Sequence, residues 1–574
     1  MTTILGINFF SHDTAACLVA DGEPVVLVEQ ERLNRDQHTK QLPDAAIDSC
    51  LQFAGITASD LDAVAVAQRP LVDLRRGALD ALGRAAPKRL AAQMYTDTRL
   101  MTRVARFRRR WSYRGPVHSV GHHDAHAGGA FYASPFDEAA LLTIDRGGDF
   151  LSTTLGRGSG SRVAALAAVA NPHSLGELYT AVTAHLGFRP GSDEGKVMGL
   201  APYGTPALVS AVRDLVELRP DGGFRIDLSW FGWAREGSPV SGPFVDRFGP
   251  PRQPESELTQ RHRDLAYAVQ AVLEEAAVHV ARSLHRRTGL SRLCVSGGVA
   301  LNSVMNRRLI TDTGFEEIFV QPAASDAGNA LGAALWVWHN CFVGERAWVM
   351  EHAQLGLDPA GATAETVEQA FRARRVGYRR SGDVAAEAAR LLAAGKVVGW
   401  FQGRAEIGPR ALGNRSILAD PRGADVRDIV NHRVKRREWF RPFAPSVLAE
   451  HGADWFADYV PNPFMLLVQP VRADRRQLVP SVTHVDGTAR LQTVTSAANP
   501  LYHRLISEFF GATGVPMVLN TSFNLRGEPI VHTPGQALDD YLKSGMDAVV
   551  IGDFVAEKAP PVTAGAARLA DTES

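Results

Sequence analysis

Two strand–turn–strand units, far apart in the chain, limit the fold more than any other feature. In the first, Ile4-Leu5-Gly6-Ile7 runs into a turn at Ser11-His12-Asp13-Thr14 and a second apolar run over residues 15–19. Asp21-Gly22 then turns the chain into a third run over residues 25–29. An Asp-Gly pair between β-rich runs is a strong hairpin signal. The second unit repeats the plan over residues 141–145, a turn at Arg146-Gly147-Gly148, and residues 150–155. Two such units predict an internally duplicated α/β fold. A helix is expected over residues 262–288, with Leu265, Val269, Val272, Leu273, Ala276 and Val280 at helical spacing. It leads into the strand Leu293-Cys294-Val295-Ser296 and the turn Gly297-Gly298.

At 574 residues the chain exceeds what one hydrophobic core organises, so at least two domains are expected. Residues 1–350 read as the first domain, 351–381 as a linker, 382–562 as a second α/β domain and 563–574 as a disordered tail. Charge is balanced, 62 basic against 62 acidic side chains, which argues against broad attraction to nucleic acid or anionic membrane. The basic stretch 74–115 reads as a solvated or lid-like helical pair; a nucleic-acid arm would interleave more aromatics. The four cysteines form no CxxC pair and read as reduced thiols. No apolar run nears the ~20 residues of a membrane span, and no signal peptide is evident. A cytoplasmic location is expected.

Chemistry concentrates in three places. In Gly-His-His-Asp-Ala-His-Ala, His122 and His126 lie four apart, so on a helix they share one face and can share a metal; the plain alternative is a helix N-terminal cluster. Asp145 ends a strand, and Asp326 in Pro322-Ala-Ala-Ser-Asp-Ala-Gly328 sits at a strand-to-helix junction, where α/β domains place ligand groups. Two His and two Asp suit an octahedral metal such as iron. Gly297-Gly298-Val-Ala-Leu-Asn302 lets a flat ligand approach the backbone. Further on, Gly408-Pro-Arg-Ala-Leu-Gly-Asn-Arg-Ser416 is joined by the basic run 433–443, by Arg490 and by Leu519-Asn-Thr-Ser-Phe-Asn524. Arginines fixed on Gly/Pro turns can grip phosphate bidentately. A basic surface face is the alternative.

Taken together, these residues resemble the NodU-like carbamoyltransferases that decorate nodulation factors and antibiotics. The resemblance runs from Gly6 to about Val555 through the motifs above and Glu194-Gly-Lys-Val-Met-Gly-Leu-Ala201. It implies an N-terminal duplicated actin/Hsp70-like (ASKHA) domain followed by a C-terminal YrdC-like α/β domain. It further implies that the YrdC-like domain takes ATP, with Mg2+, and carbamoyl phosphate to carbamoyl-adenylate. A hydroxylated small molecule then receives the carbamoyl group beside an Fe(II)-type metal. Carried over, His122, His126, Asp145 and Asp326 match metal ligands, and Gly298 and Asn302 an adenosine-holding loop. Lys196 matches a cation near the intermediate. Arg410, Lys435, Arg441, Arg490, Asn520 and Ser522 match the carbamoyl phosphate and nucleotide site. His12, beside Asp13, is the candidate general base, or else a group that positions substrate.

Two departures stand out: Arg146-Gly147-Gly148-Asp149 replaces an expected small turn followed by Glu, and the turn before His12 is short. Both bear on acceptor choice. An amine acceptor and a non-catalytic nucleotide-binding regulator are the competing readings; a tRNA-modifying fusion is disfavoured by charge. A homodimer is left open.

Overall fold

The computed structural model describes every residue except 10–11, 70–97, 99–100, 233–238, 359–362 and 559–574. Most of the basic stretch 74–115 and the tail 563–574 therefore lie outside the described residues. The described end of the stretch is helical over residues 101–110. There Arg106 and Arg110 pair with Asp44 and Asp48 at 2.8 Å.

The duplication is present in the sheets. Strands β1 (Thr3–Asn8), β2 (Ala15–Ala20), β3 (Glu23–Glu29), β4 (Ala63–Val66) and β5 (Val117–Ser119) form one five-stranded sheet in the order β3-β2-β1-β4-β5. The first three are an antiparallel meander, and β4 and β5 join parallel. The second sheet repeats this plan. Strands β6 (Glu138–Gly148), β7 (Leu151–Ser159) and β8 (Arg162–Ala170) form the meander. After the small hairpin of β9 (Val216–Leu218) and β10 (Phe224–Ile226), β11 (Arg292–Ser296) and β12 (Glu317–Val320) add parallel beside β6.

Continuous runs of buried residues, covered on both faces, explain β1, β2, β4 and most of β6, and the turn at Asp21-Gly22 matches the Asp-Gly reading, both residues left-handed. The second turn differs from the sequence expectation. Arg146, Gly147 and Gly148 belong to β6, and the chain reverses at Asp149 and Phe150, both left-handed at φ 49° and 61°. Phe150 gives no local turn signal, so the break is invisible to a search for glycine. β8 was not anticipated; its Ala-rich run is largely exposed and lacks apolar alternation.

The helix His122–Phe131 lies against the helix Asn329–Cys341. A Cβ on Gly332 would fall 1.9 Å from the Ala125 carbonyl oxygen, so glycine is required where the two backbones meet. That close crossing draws His126 to the segment carrying Asp326. The expected long helix spans Gln260–Thr288.

Beyond residue 378 the chain builds an eight-stranded mixed sheet. Its inner strands include Val398–Phe401, Arg415–Ala419, Ala444–Leu448 and Met517–Ser522, all with buried apolar residues. This half has its own apolar core around Trp400, Ile417, Phe509 and Val549. The span 351–381, expected as a linker, contains the helix Ala364–Ala373. Val367 and Phe371 of that helix are buried in this second core. Gly356, Pro359 and Gly361 break the pattern just before it, which hid the helix from periodicity. No helix among the described residues is long and apolar enough to cross a membrane.

Candidate active site

The His/Asp centre draws on the C-terminal ends of β6 and β12, which flank β11 in the second sheet, and on the helix that follows β5. Asp145 comes from β6, Asp326 from the turn after β12, and His122 and His126 from the first two turns of their helix. Asp149 holds that helix by accepting the His122 amide at 2.6 Å. His122 Nε2 lies 3.0 Å from Asp145 Oδ2 and 3.6 Å from Asp326 Oδ1, and His126 Nε2 lies 3.5 Å from Asp326 Oδ1. Ligand atoms of all four fall within 4.8 Å of one another, all buried. Ser296 Oγ meets His126 Nδ1 at 3.2 Å, which orients the imidazole. Two neutral imidazoles and two carboxylates converging on one point fit a divalent metal. His123 does not join them; its ring nitrogens are engaged by Thr143 Oγ1 and the Leu151 carbonyl.

Burial opposes charge on His122, yet Asp326 and the bond to Asp145 outweigh it and raise its pKa to about 9. Asp145 and Asp326 are buried too, but the histidines hold both below the usual carboxylate range.

A cavity of about 400 Å³ begins at this centre and continues into the C-terminal half. Asp145, Gly298 and Asn302 line one part; Arg410, Arg437, Arg441 and Arg490 line another. Gly298 donates its amide to Asp145 Oδ1 at 2.9 Å. Asn302 caps its helix through the Met305 amide and bonds Gln270. His12 and Asp13 also face the cavity. Asp13 Oδ2 is 3.2 Å from His12 Nδ1, and its Oδ1 is 2.6 Å from His38 Nδ1. Burial pushes His12 down, but the close Asp13 carboxylate and the Asp326 and Asp145 charges carry it up to about 9.

The four arginines share a space with little countercharge. Burial and their mutual repulsion hold Arg490 and Arg437 well below the ordinary range and bring Arg410 down to about 10. The Nε groups of Arg410 and Arg490 are buried without a hydrogen-bond partner among the described residues. Glu438 is the nearby carboxylate, and it is shared: 2.9 Å from Lys196 and 3.9 Å from Arg441. Such a cluster is short of an anion, and a phosphate group has the charge and the acceptor oxygens that suit it.

Asn520 and Ser522 border the cavity from the Met517–Ser522 strand. Two residues chosen from sequence sit differently. Lys435 is buried under that strand, where its ammonium donates to the Ser522 and Asn524 carbonyls at 2.7 Å; it props the loop and does not line the cavity. Lys196 is likewise absent from the lining, held between Asp193 at 3.0 Å and Glu438. Arg437 and Arg32 also line the cavity, and neither stands out in the sequence. A wide π-type turn at Val430–Lys435, ended by left-handed Arg436 at φ 47°, breaks the helical spacing and sends Lys435 and Arg437 to different sides.

Residues 3–335 match the carbamoyltransferase N-terminus family model, and residues 389–558 match the carbamoyltransferase C-terminus model. The chain is 40% identical to an uncharacterized protein of Synechocystis over 97% of both chains. It is 41% identical to nodulation protein NolNO of Sinorhizobium fredii over 96% of this chain and 80% of that one. A 3'-hydroxymethylcephem-O-carbamoyltransferase of Amycolatopsis lactamdurans is 38% identical over 46% of this chain and 48% of its own. With both family models satisfied in order around one shared cavity, the chain belongs to the carbamoyltransferase family of transferases.

Proposed function

We propose that this chain is an ATP-dependent O-carbamoyltransferase that makes carbamoyl-adenylate among its C-terminal arginines and spends it beside the His/Asp centre. In this reading residues 1–350 form an actin/Hsp70-like transfer domain. Residues 382–562 form a YrdC-like activating domain, to which the helix Ala364–Ala373 also belongs by its packing. The observation that carries it is one cavity that reaches Asp145 of the His/Asp centre at one part and Arg410, Arg437, Arg441 and Arg490 at another.

Carbamoyl phosphate and ATP together bring several negative charges. Arg410, Arg437, Arg441 and Arg490 offset them in a space already short of anions. Water cleaves carbamoyl phosphate to carbamate and phosphate. A carbamate oxygen then attacks the α-phosphorus of ATP and pyrophosphate leaves. Asn520 and Ser522 border this step, and Lys435 keeps their strand in place. The mixed anhydride is labile in water, so a route inside one cavity protects it. Gly298 and Asn302 lie between the two clusters and suit the adenosine.

His122, His126, Asp145 and Asp326 would hold a divalent metal, which when bound supplies Lewis-acid polarisation of the carbamoyl group. The acceptor hydroxyl attacks the carbonyl carbon and AMP leaves. His12, raised to about 9 by its acidic neighbours, takes the hydroxyl proton in its neutral form, which a cation offsetting Asp145 and Asp326 would favour, with Asp13 steadying the imidazolium. The hydroxyl acceptor follows the name of the Amycolatopsis relative. The test is to incubate pure protein with ATP, carbamoyl phosphate and a panel of hydroxylated natural products. A product heavier by CONH, formed with one AMP and one pyrophosphate, is expected; no ATP consumption with carbamoyl phosphate present would sink the reading.

A further inference from the structure

A buried ion pair from the N-terminal half grips the backbone of the arginine loop. Glu29 ends β3 and Arg32 follows one turn later; they are 8% and 7% exposed. Arg32 Nε donates to Glu29 Oε2 at 2.7 Å. Each partner also holds one side of the same residue in the other half. The Gly408 amide donates to Glu29 Oε1 at 2.6 Å, and Arg32 Nη2 donates to the Gly408 carbonyl at 2.6 Å.

Gly408 has little freedom of its own. It is left-handed at φ +82°, and a Cβ there would stand 2.3 Å from the Pro322 carbonyl oxygen, in the segment that leads to Asp326. Further along the loop, Glu406 Oε1 accepts the Leu412 and Asn414 amides, both at 2.7 Å. Arg410 thus sits between a root fixed by Glu29 and Arg32 and a turn fixed by Glu406. Its own guanidinium makes one 3.3 Å bond, to the Leu301 carbonyl, and its Nε makes none among the described residues.

An arginine so lightly held at its tip takes its aim from its backbone. Resting on the reading that Arg410 receives phosphate, we propose that Glu29 and Arg32 are positioning residues for phosphate capture. They fix Gly408 and so Arg410, and they place part of the activating machinery in the N-terminal half. The ion pair is needed for more than packing. Its two charges strengthen both bonds to the peptide, and an aim shifted by as little as ~1 Å costs a charged contact much of its worth.

The test is calorimetric titration of the full-length protein with inorganic phosphate, which needs no turnover. Arg32→Met is expected to weaken phosphate binding by about tenfold. In an Arg410→Met background the same change is expected to matter by less than about twofold, because the arginine it aims is gone. Arg32→Lys, which keeps a donor for the Gly408 carbonyl, is expected to recover most of the affinity, and it carries the test if Arg32→Met does not fold. Metal affinity at the His/Asp centre should stay unchanged in all of them. If wild type binds phosphate and Arg32→Met binds it equally well, or if the loss is the same with and without Arg410, this inference fails alone. A wild type that binds no phosphate overturns it together with the assignment of Arg410. A wild type that binds phosphate but releases no pyrophosphate from ATP defeats only the proposed reaction.

Discussion

The His/Asp centre and the arginine cluster are both buried among charges, yet they balance them differently. At the first, two carboxylates face two imidazoles, and His122 is held protonated by its neighbours when no metal is bound. At the second, four arginines face one another, and the carboxylate nearest them, Glu438, pairs with Arg441 and with Lys196. The first region tolerates being empty by pairing with itself, and the second is completed by an anion from outside. On the proposed reading the uncompensated charge sits where phosphate would bind, and the transfer centre is the more balanced of the two.

If the two regions serve different steps, variants in each should fail in different half-reactions. Arg410→Ala should lower pyrophosphate release by roughly 10²- to 10³-fold or more, the scale of losing one preorganised charged donor. His122→Ala should leave that release intact and stop product formation by a similar factor. Radiolabelled ATP with and without acceptor separates the two.

Stability should also separate the two regions. In metal-free protein, His122→Ala leaves Asp145 and Asp326 short of a buried countercharge and should cost about 3 kcal/mol in urea unfolding. That stabilisation has a pH signature. His122 is raised from 6.5 to about 9 in the folded state, so its contribution is full below pH 6.5 and is lost as pH rises through about 9. Arg490→Met should act in the opposite direction, stabilising the anion-free protein by about 1 kcal/mol through relief of repulsion. Pyrophosphate at a hundred times its Kd should stabilise wild type by about 2.7 kcal/mol and Arg490→Met far less.

The finest test is a titration. Among the charges that raise His12 to about 9 are Asp326 and Asp145. A divalent cation bound by those carboxylates offsets them, so metal loading should move the His12 imidazole resonance to a lower pKa. A titration that ignores the metal would separate His12 from the centre.

Much of this was legible in the sequence because the chemistry needs rare residues at fixed spacings. His122 and His126 are set by helix geometry, and Asp145 and Asp326 by strand ends, so all four could be named without coordinates. The duplicated meander was readable from Asp21-Gly22, but its second copy turns at Asp149 and Phe150, which carry no glycine signal. In the basic run 433–441 the residue types were plain and their directions were not. The wide turn at 430–435 decides that Arg437 faces the cavity while Lys435 goes beneath the strand. The hold of Glu29 and Arg32 on Gly408 spans 379 and 376 positions of sequence, and no local pattern records a contact of that kind.

In the proposed mechanism one molecule carries its intermediate from the arginines to the His/Asp centre through a common interior. Mixing Arg410→Ala with His122→Ala tests that directly, since each variant retains the half-reaction the other lacks. With ATP, carbamoyl phosphate, metal and acceptor supplied, the mixture should stay as inactive as either variant alone while His122→Ala continues to release pyrophosphate. Recovery of product in the mixture would mean that the intermediate crosses open water between molecules, and the shared cavity would lose its role.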